Sequence, residues 1–169
     1  MNILHRFSWA ICVAALVLAG CKRSDHHVPD ATLQQTFHDQ RAAFEKLGIM
    51  IREDAALQQV TFKSTLPDPA PIDEKRLSAY RQMLASLGCE QGLWRDGNNA
   101  YLIASENDFG KKPGYKPSHK GFFHCPVKPS LLADKLDNYP FPEPENHVVY
   151  MPLEDNWYIF VTRGGPADH

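Results

Sequence analysis

The 169-residue chain reads as an α+β protein. Three observations predict this class. Two stretches in the first half repeat apolar residues at helical spacing; the second half changes to short alternating runs rich in aromatic and β-branched residues; Gly, Pro and Asn clusters separate these runs like turns. The expected architecture is two N-terminal helices packed on one face of a mostly antiparallel sheet of four to six strands.

The first helix is expected over residues 32–51. Leu33, Phe37, Phe44, Leu47 and Ile51 fall on one face, Gln34, His38, Asp39, Arg41 and Glu45 fall between them, and Thr32 with Gln35 fits a capping box. Residues 57–62 alternate in part, with Leu57, Val60 and Phe62, and read as a strand. Pro67, Pro69 and Pro71 then lack amide hydrogens and fix φ, so residues 65–71 form a stiff connector. A second helix starts at Asp73, buries Leu77, Tyr80, Met83, Leu84 and Leu87, and ends at Gly88.

From Gly92 the period becomes two. Residues 92–95 and 100–105 form a hairpin about the Asp96-Gly97-Asn98-Asn99 turn. Gly110, Pro113, Gly114 and Pro117 break the following stretch, which also carries Lys111, Lys112 and Lys116, so residues 107–119 are expected as an exposed loop. Residues 121–125 make a further strand ended by Pro126, and residues 130–136 a turn or two of helix with Leu131, Leu132 and Leu136 on one side. Residues 139–144 alternate proline with other residues and should be extended. A last, buried hairpin joins residues 147–150 to residues 157–161 through Glu154-Asp155-Asn156.

The N-terminus carries a different signal. His5 and Arg6 precede an apolar run, Trp9 to Gly20, and Leu18-Ala19-Gly20-Cys21 closes it. Twelve residues are too few to span hydrocarbon, which takes about 20. The four-residue pattern resembles the lipobox of bacterial lipoproteins. That resemblance implies removal of residues 1–20, diacylation of Cys21 and attachment to a membrane through the lipid. Lys22 after the cysteine, by the same resemblance, favours the periplasmic face of the outer membrane over the inner membrane. Residues 21–31 then form the lipidated cysteine and a polar tether, and residues 32–169 one α+β domain.

In an oxidising envelope compartment the two remaining cysteines, Cys89 and Cys125, are expected to form a disulfide. Closing that loop would stabilise by about 3–4 kcal/mol on the chain-entropy model. The formal charge of the chain is −2, and losing Arg6 makes it one unit more negative. No basic excess or charge block favours nucleic acid. The sequence lacks a serine nucleophile elbow, a phosphate-binding loop, a dinucleotide glycine pattern, HExxH and Cys-x-x-Cys, so no catalytic residue, metal ligand or cofactor is assigned.

One polar cluster stands out: His119 and Lys120, with His124 further along the same run, as a candidate cationic ligand-binding corner. The plainer reading of the same residues is a lysine-bearing loop that keeps a sheet edge soluble. Trp94, Trp157, Tyr158 and Phe160 at strand spacing read as core. The expected function is that of a lipid-anchored, non-catalytic module that binds another protein, of the immunity or envelope-assembly type. The alternative is a small periplasmic enzyme or ligand-binding domain using the His/Lys corner.

Overall fold

The computed structural model describes residues 27–107, 117–141 and 147–163. Three helices, α1 (Asp30–Asp39), α2 (Arg41–Glu53) and α3 (Glu74–Ser86), accompany seven strands: β1 (Gln59–Val60), β2 (Thr65–Leu66), β3 (Gly92–Asp96), β4 (Asn99–Asn107), β5 (Ser118–His124), β6 (Val148–Pro152) and β7 (Trp157–Thr162). The strands form one sheet in the order β2-β1-β3-β4-β5-β7-β6, every neighbour antiparallel.

The architecture is α+β, and it corrects the expected layout in three respects. The helix expected over residues 32–51 is broken at Gln40, whose φ of −117° and ψ of 28° leave the helical region. Its side-chain amide donates to Ser86 O at the end of α3, so a tertiary contact accompanies the break. No glycine or proline marks it in the sequence, and Thr32 does not cap, since α1 already starts at Asp30 behind Pro29. The sheet has seven strands because the 65–71 connector contributes β2, which pairs with β1.

The third correction is the disulfide, because Cys89 and Cys125 are both free. Cys89 precedes Gly92, which pairs with Ile103, whereas Cys125 follows His124, which pairs with Ala100 at the other end of β4. They also belong to clusters on opposite faces of the sheet. A disulfide needs Cα atoms within about 7 Å, and neither the register nor the pleat permits that here. Burial pushes both thiols upward, so they stay protonated.

The helices cover one face. Phe44 packs edge to face on Phe122 and Trp157 there, with centroids 4.7 Å and 5.0 Å apart, and is tilted against Phe37 at 4.9 Å. Arg95 of β3 donates to Ile51 O and Asp54 O, which satisfies carbonyls at the end of α2 with a cation where the helix dipole favours one. Arg76 and Tyr80 of α3 both donate to Asp54 Oδ2, locking α3 to the same corner. The other face carries Tyr101, Phe123, Tyr150, Tyr158 and Phe160.

Residues 130–136 are not helical. Leu132 instead bridges Tyr150, with Ala133 N donating to Tyr150 O and Tyr150 N to Leu131 O, which covers the edge of β6. The turns follow their residues: Gly97 takes a φ of 57°, and Asp155 and Asn156 take 51° and 66° between β6 and β7, the primed-turn geometry that fits strand twist.

Gly121 sits where β4 bulges between Ile103 and Ser105. A Cβ there would overlap Leu102 O and lie 2.8 Å from Ala104 N. Gly121→Ala should therefore lower stability by about 3 kcal/mol in denaturant unfolding, although alanine is the better strand former.

Candidate ligand-binding cavity at the end of the sheet

Strand alternation decides what faces what. On β5, Ser118, Lys120, Phe122 and His124 point to the helix side, and His119, Phe123 and Cys125 point away. Lys120 is thus carried into the interior, 1% exposed, on the same face as Phe122. An ammonium at that depth costs several kcal/mol unless carboxylates meet it. Two do: Lys120 Nζ lies 2.6 Å from Asp30 Oδ1 and donates to Asp137 Oδ1 at 2.6 Å.

Backbone amides complete this latch. Asp30 Oδ2 accepts from Leu136 N at 2.7 Å and Asp137 N at 2.9 Å, and Asp30 N donates back to Asp137 Oδ1 at 3.1 Å. Burial alone would raise the Asp30 carboxyl, but the Lys120 hydrogen bond and the two amides outweigh it and hold the group below its ordinary value. The first residue of α1 is also where the helix dipole favours a carboxylate.

Beside the latch, His27 bridges two hydroxyls. Its Nδ1 is 3.0 Å from Ser105 Oγ, its Nε2 contacts Ser118 Oγ closely, and Val28 N donates to Ser105 Oγ at 3.2 Å. Burial first, then the charges of Lys120 and His119, push His27 down to about 4. The ring is neutral at physiological pH.

The segment after Asp137 turns sharply. Asn138 adopts a φ of 59°, a left-handed conformation that asparagine tolerates, and Tyr139 N donates back to Leu136 O at 3.0 Å. The turn packs Tyr139 and Phe141 against the main core, their ring centroids 5.3 Å apart and their planes at 75°. Between turn and sheet lies a cavity of about 550 Å³. His27, Asn107, Ser118, Lys120, Asp137 and Arg163 are among its polar lining, and Tyr139 and Phe141 supply its aromatic rings. That volume is within the usual range for small-ligand pockets, about 300–1,000 Å³.

The three residues singled out from sequence do not converge. Lys120 reaches the cavity. His119 points to the opposite face, where it packs on Trp94 with centroids 5.7 Å apart and faces Glu106 at 3.4 Å. His124 shares the Lys120 face but lies four residues along the strand, about 13 Å, against Trp157. Burial lowers both histidines from their ordinary value, with Arg52 acting in the same direction on His124. The reading of Lys120 as a solvated loop residue is corrected too, since β5 begins at Ser118 and buries it.

His27, Asp30, Ser118 and Asp137 were not assigned to a site from sequence. The one available signal was Lys120 itself, two residues from Phe122 on what proves to be a core face. No other local pattern links residue 30 to residue 137.

Among the described residues there is no group of three or more His, Cys, Asp or Glu side chains placed to hold a metal ion. Nor is any described helix long and apolar enough to cross a membrane. Cys21 and residues 1–26, most of the 107–119 stretch and residues 142–146 of the proline segment lie outside the described residues. The chain matches no known protein family, no curated protein and no solved structure.

Two outcomes follow from the latch. Lys120→Met leaves two carboxylates facing each other without their cation and should cost about 3–5 kcal/mol in urea unfolding at neutral pH. Acid should also destabilise the fold in a defined window. Unfolded His27 takes up its proton near 6.5, whereas the folded ring resists until about 4, so the unfolded state binds more protons between these values. The His27 contribution is complete above about pH 6.5 and is lost as pH falls to about 4; the lowered Asp30 extends the loss below that. Melting temperatures measured from pH 7 to pH 4 should fall throughout, and His27→Gln should flatten, without abolishing, the decline, because His119 and His124 shift in the same direction.

Proposed function

We propose that the protein is a lipid-anchored component of the bacterial envelope that binds rather than catalyses, with the cavity beside Lys120 as its binding place. The Leu18-Ala19-Gly20-Cys21 pattern supports the address, and Lys22 favours the periplasmic face of the outer membrane. The cavity carries the rest of the reading: about 550 Å³, polar on one wall and aromatic on the other, beside a buried ammonium.

Binding is favoured over catalysis on acid–base grounds. A general base works best when its pKa lies near the operating pH. His27, at about 4, is a weak proton acceptor, and its two ring nitrogens face hydroxyls, not an orienting carboxylate. Lys120 is held between two aspartates and serves as a structural cation. Ser118, although it touches His27, therefore gains little nucleophilicity from it. The occupant is a partner protein's segment or a small molecule of similar size.

The test has two arms. Replacing Cys21→Ala should move the full-length protein from the membrane fraction to the soluble periplasmic fraction in a bacterial host; unchanged fractionation would remove the lipid anchor from the reading. A photo-crosslinking side chain at Phe141, on the cavity wall, should capture a discrete product in envelopes, while one at Arg41, paired with the β6–β7 turn, should not. Equal labelling at both positions, or none at Phe141, would overturn the cavity as the binding place.

A further inference from the structure

We infer that Trp94 and His119, on the sheet face away from the helices, form a second site that binds the hydroxyl group of a small neutral molecule, water or a short alcohol, between the indole and the imidazole. This site lies on the opposite face from Lys120 and does not rest on the role proposed for that cavity.

Two orphaned nitrogens carry the inference. Trp94 Nε1 and His119 Nδ1 are both shielded from solvent, and neither has a hydrogen-bond partner among the described residues. Their rings are neighbours, with centroids 5.7 Å apart and planes at 57°. His119 is 4% exposed, so its bare nitrogen has no bulk water to turn to. One unmet buried polar atom is costly, and two on adjacent rings point to a shared partner.

Register brings them together. Trp94 pairs with Tyr101 on β4, and Tyr101 pairs with Phe123 on β5. His119 lies on the Phe123 face of β5, and Gly121 between them carries no side chain that could meet either nitrogen.

Chemistry decides the ligand. An indole N–H only donates, so the ligand must accept from Trp94. His119 Nε2 faces Glu106 Oε2 at 3.4 Å, and a carboxylate only accepts, so the ring proton is held on that side. Burial keeps the ring neutral against the smaller pull of Glu106. His119 Nδ1 is then an acceptor, and the ligand must donate to it. A carboxylate cannot donate and an ammonium cannot accept, whereas a hydroxyl does both through one oxygen. Size agrees, because two hydrogen bonds of about 2.9 Å meeting at one atom span no more than about 6 Å, the scale of the ring separation. Two polar partners suffice to hold a buried water. The result is a chain of Glu106, His119, hydroxyl and Trp94, in which the carboxylate fixes the tautomer that makes the far nitrogen receptive.

The experiment uses full-length, isotope-labelled protein in detergent at neutral pH, studied by NMR. Water is the first probe: the Trp94 indole N–H should show a cross-relaxation peak to a long-lived water, and His119 should carry its proton on Nε2, with Nδ1 shifted as a hydrogen-bonded acceptor. Methanol, titrated next, separates the sources. A peak to its methyl group in place of the water peak assigns an alcohol, and a persistent water peak assigns water. Trp94→Phe, checked for native melting, should move the His119 Nδ1 resonance toward that of an unbonded acceptor, and Arg41→Ala should leave it unchanged. Both wild-type readings decide the matter if the Trp94 variant fails to fold. A His119 proton found on Nδ1, or a Trp94 N–H that meets neither water nor methanol, would overturn the site.

Discussion

A cation buried in the middle of a sheet dictates much of this molecule. Lys120 is placed on the core face by the pleat of β5, between Ser118 and Phe122, and at 1% exposure it has no water to solvate it. Its carboxylates come from distant parts of the chain: Asp30 opens α1, and Asp137 opens the turn that ends at Phe141. The amides of residues 136 and 137 bind Asp30 in return, so the N-terminal helix, the central strand and the 136–141 turn are joined at one point. The cavity lies beside that joint and is lined by Lys120 and Asp137.

The two faces of the sheet divide their labour. The helix side is aliphatic and phenyl-rich, closed by α1, α2 and α3 and by the Arg95 and Arg76 contacts at the end of α2. The other side is a ladder of tyrosines and phenylalanines running across β4, β5, β7 and β6. Each free cysteine sits in one of these layers, and packing does there what a covalent link was expected to do.

Much of the fold was legible from periodicity. Helical spacing located α2 and α3, alternation located β3, β4 and the β6–β7 hairpin, and Gly97 and Asp155-Asn156 marked their turns. The misreadings have physical reasons. Gln40 interrupts a helix with a residue of good helical propensity, because its contact with Ser86 is tertiary. Residues 130–136 look helical by their leucines, but the open edge of β6 offers backbone partners that a lone turn of helix lacks. The site was the least legible part. A lysine next to glycine and proline breakers reads as solvated, and only the strand register shows that it is buried. Its counter-charges lie 90 residues before it and 17 after it, and short-range patterns carry nothing of such pairings.

The position of Asp30 at the head of α1 also bears on mechanics. Any pull transmitted along the chain from the N-terminal side of His27 meets first His27 and Val28, held to Ser105 and Ser118, and then Asp30, the first residue of α1. There it is delivered through charge-assisted bonds to β5, which has β4 on one side and β7 on the other. Load is thus spread over an interior strand flanked by two hydrogen-bonded ladders, and α1 is spared from being peeled away turn by turn. A body hung from one end is strongest when its point of suspension is fastened to its middle.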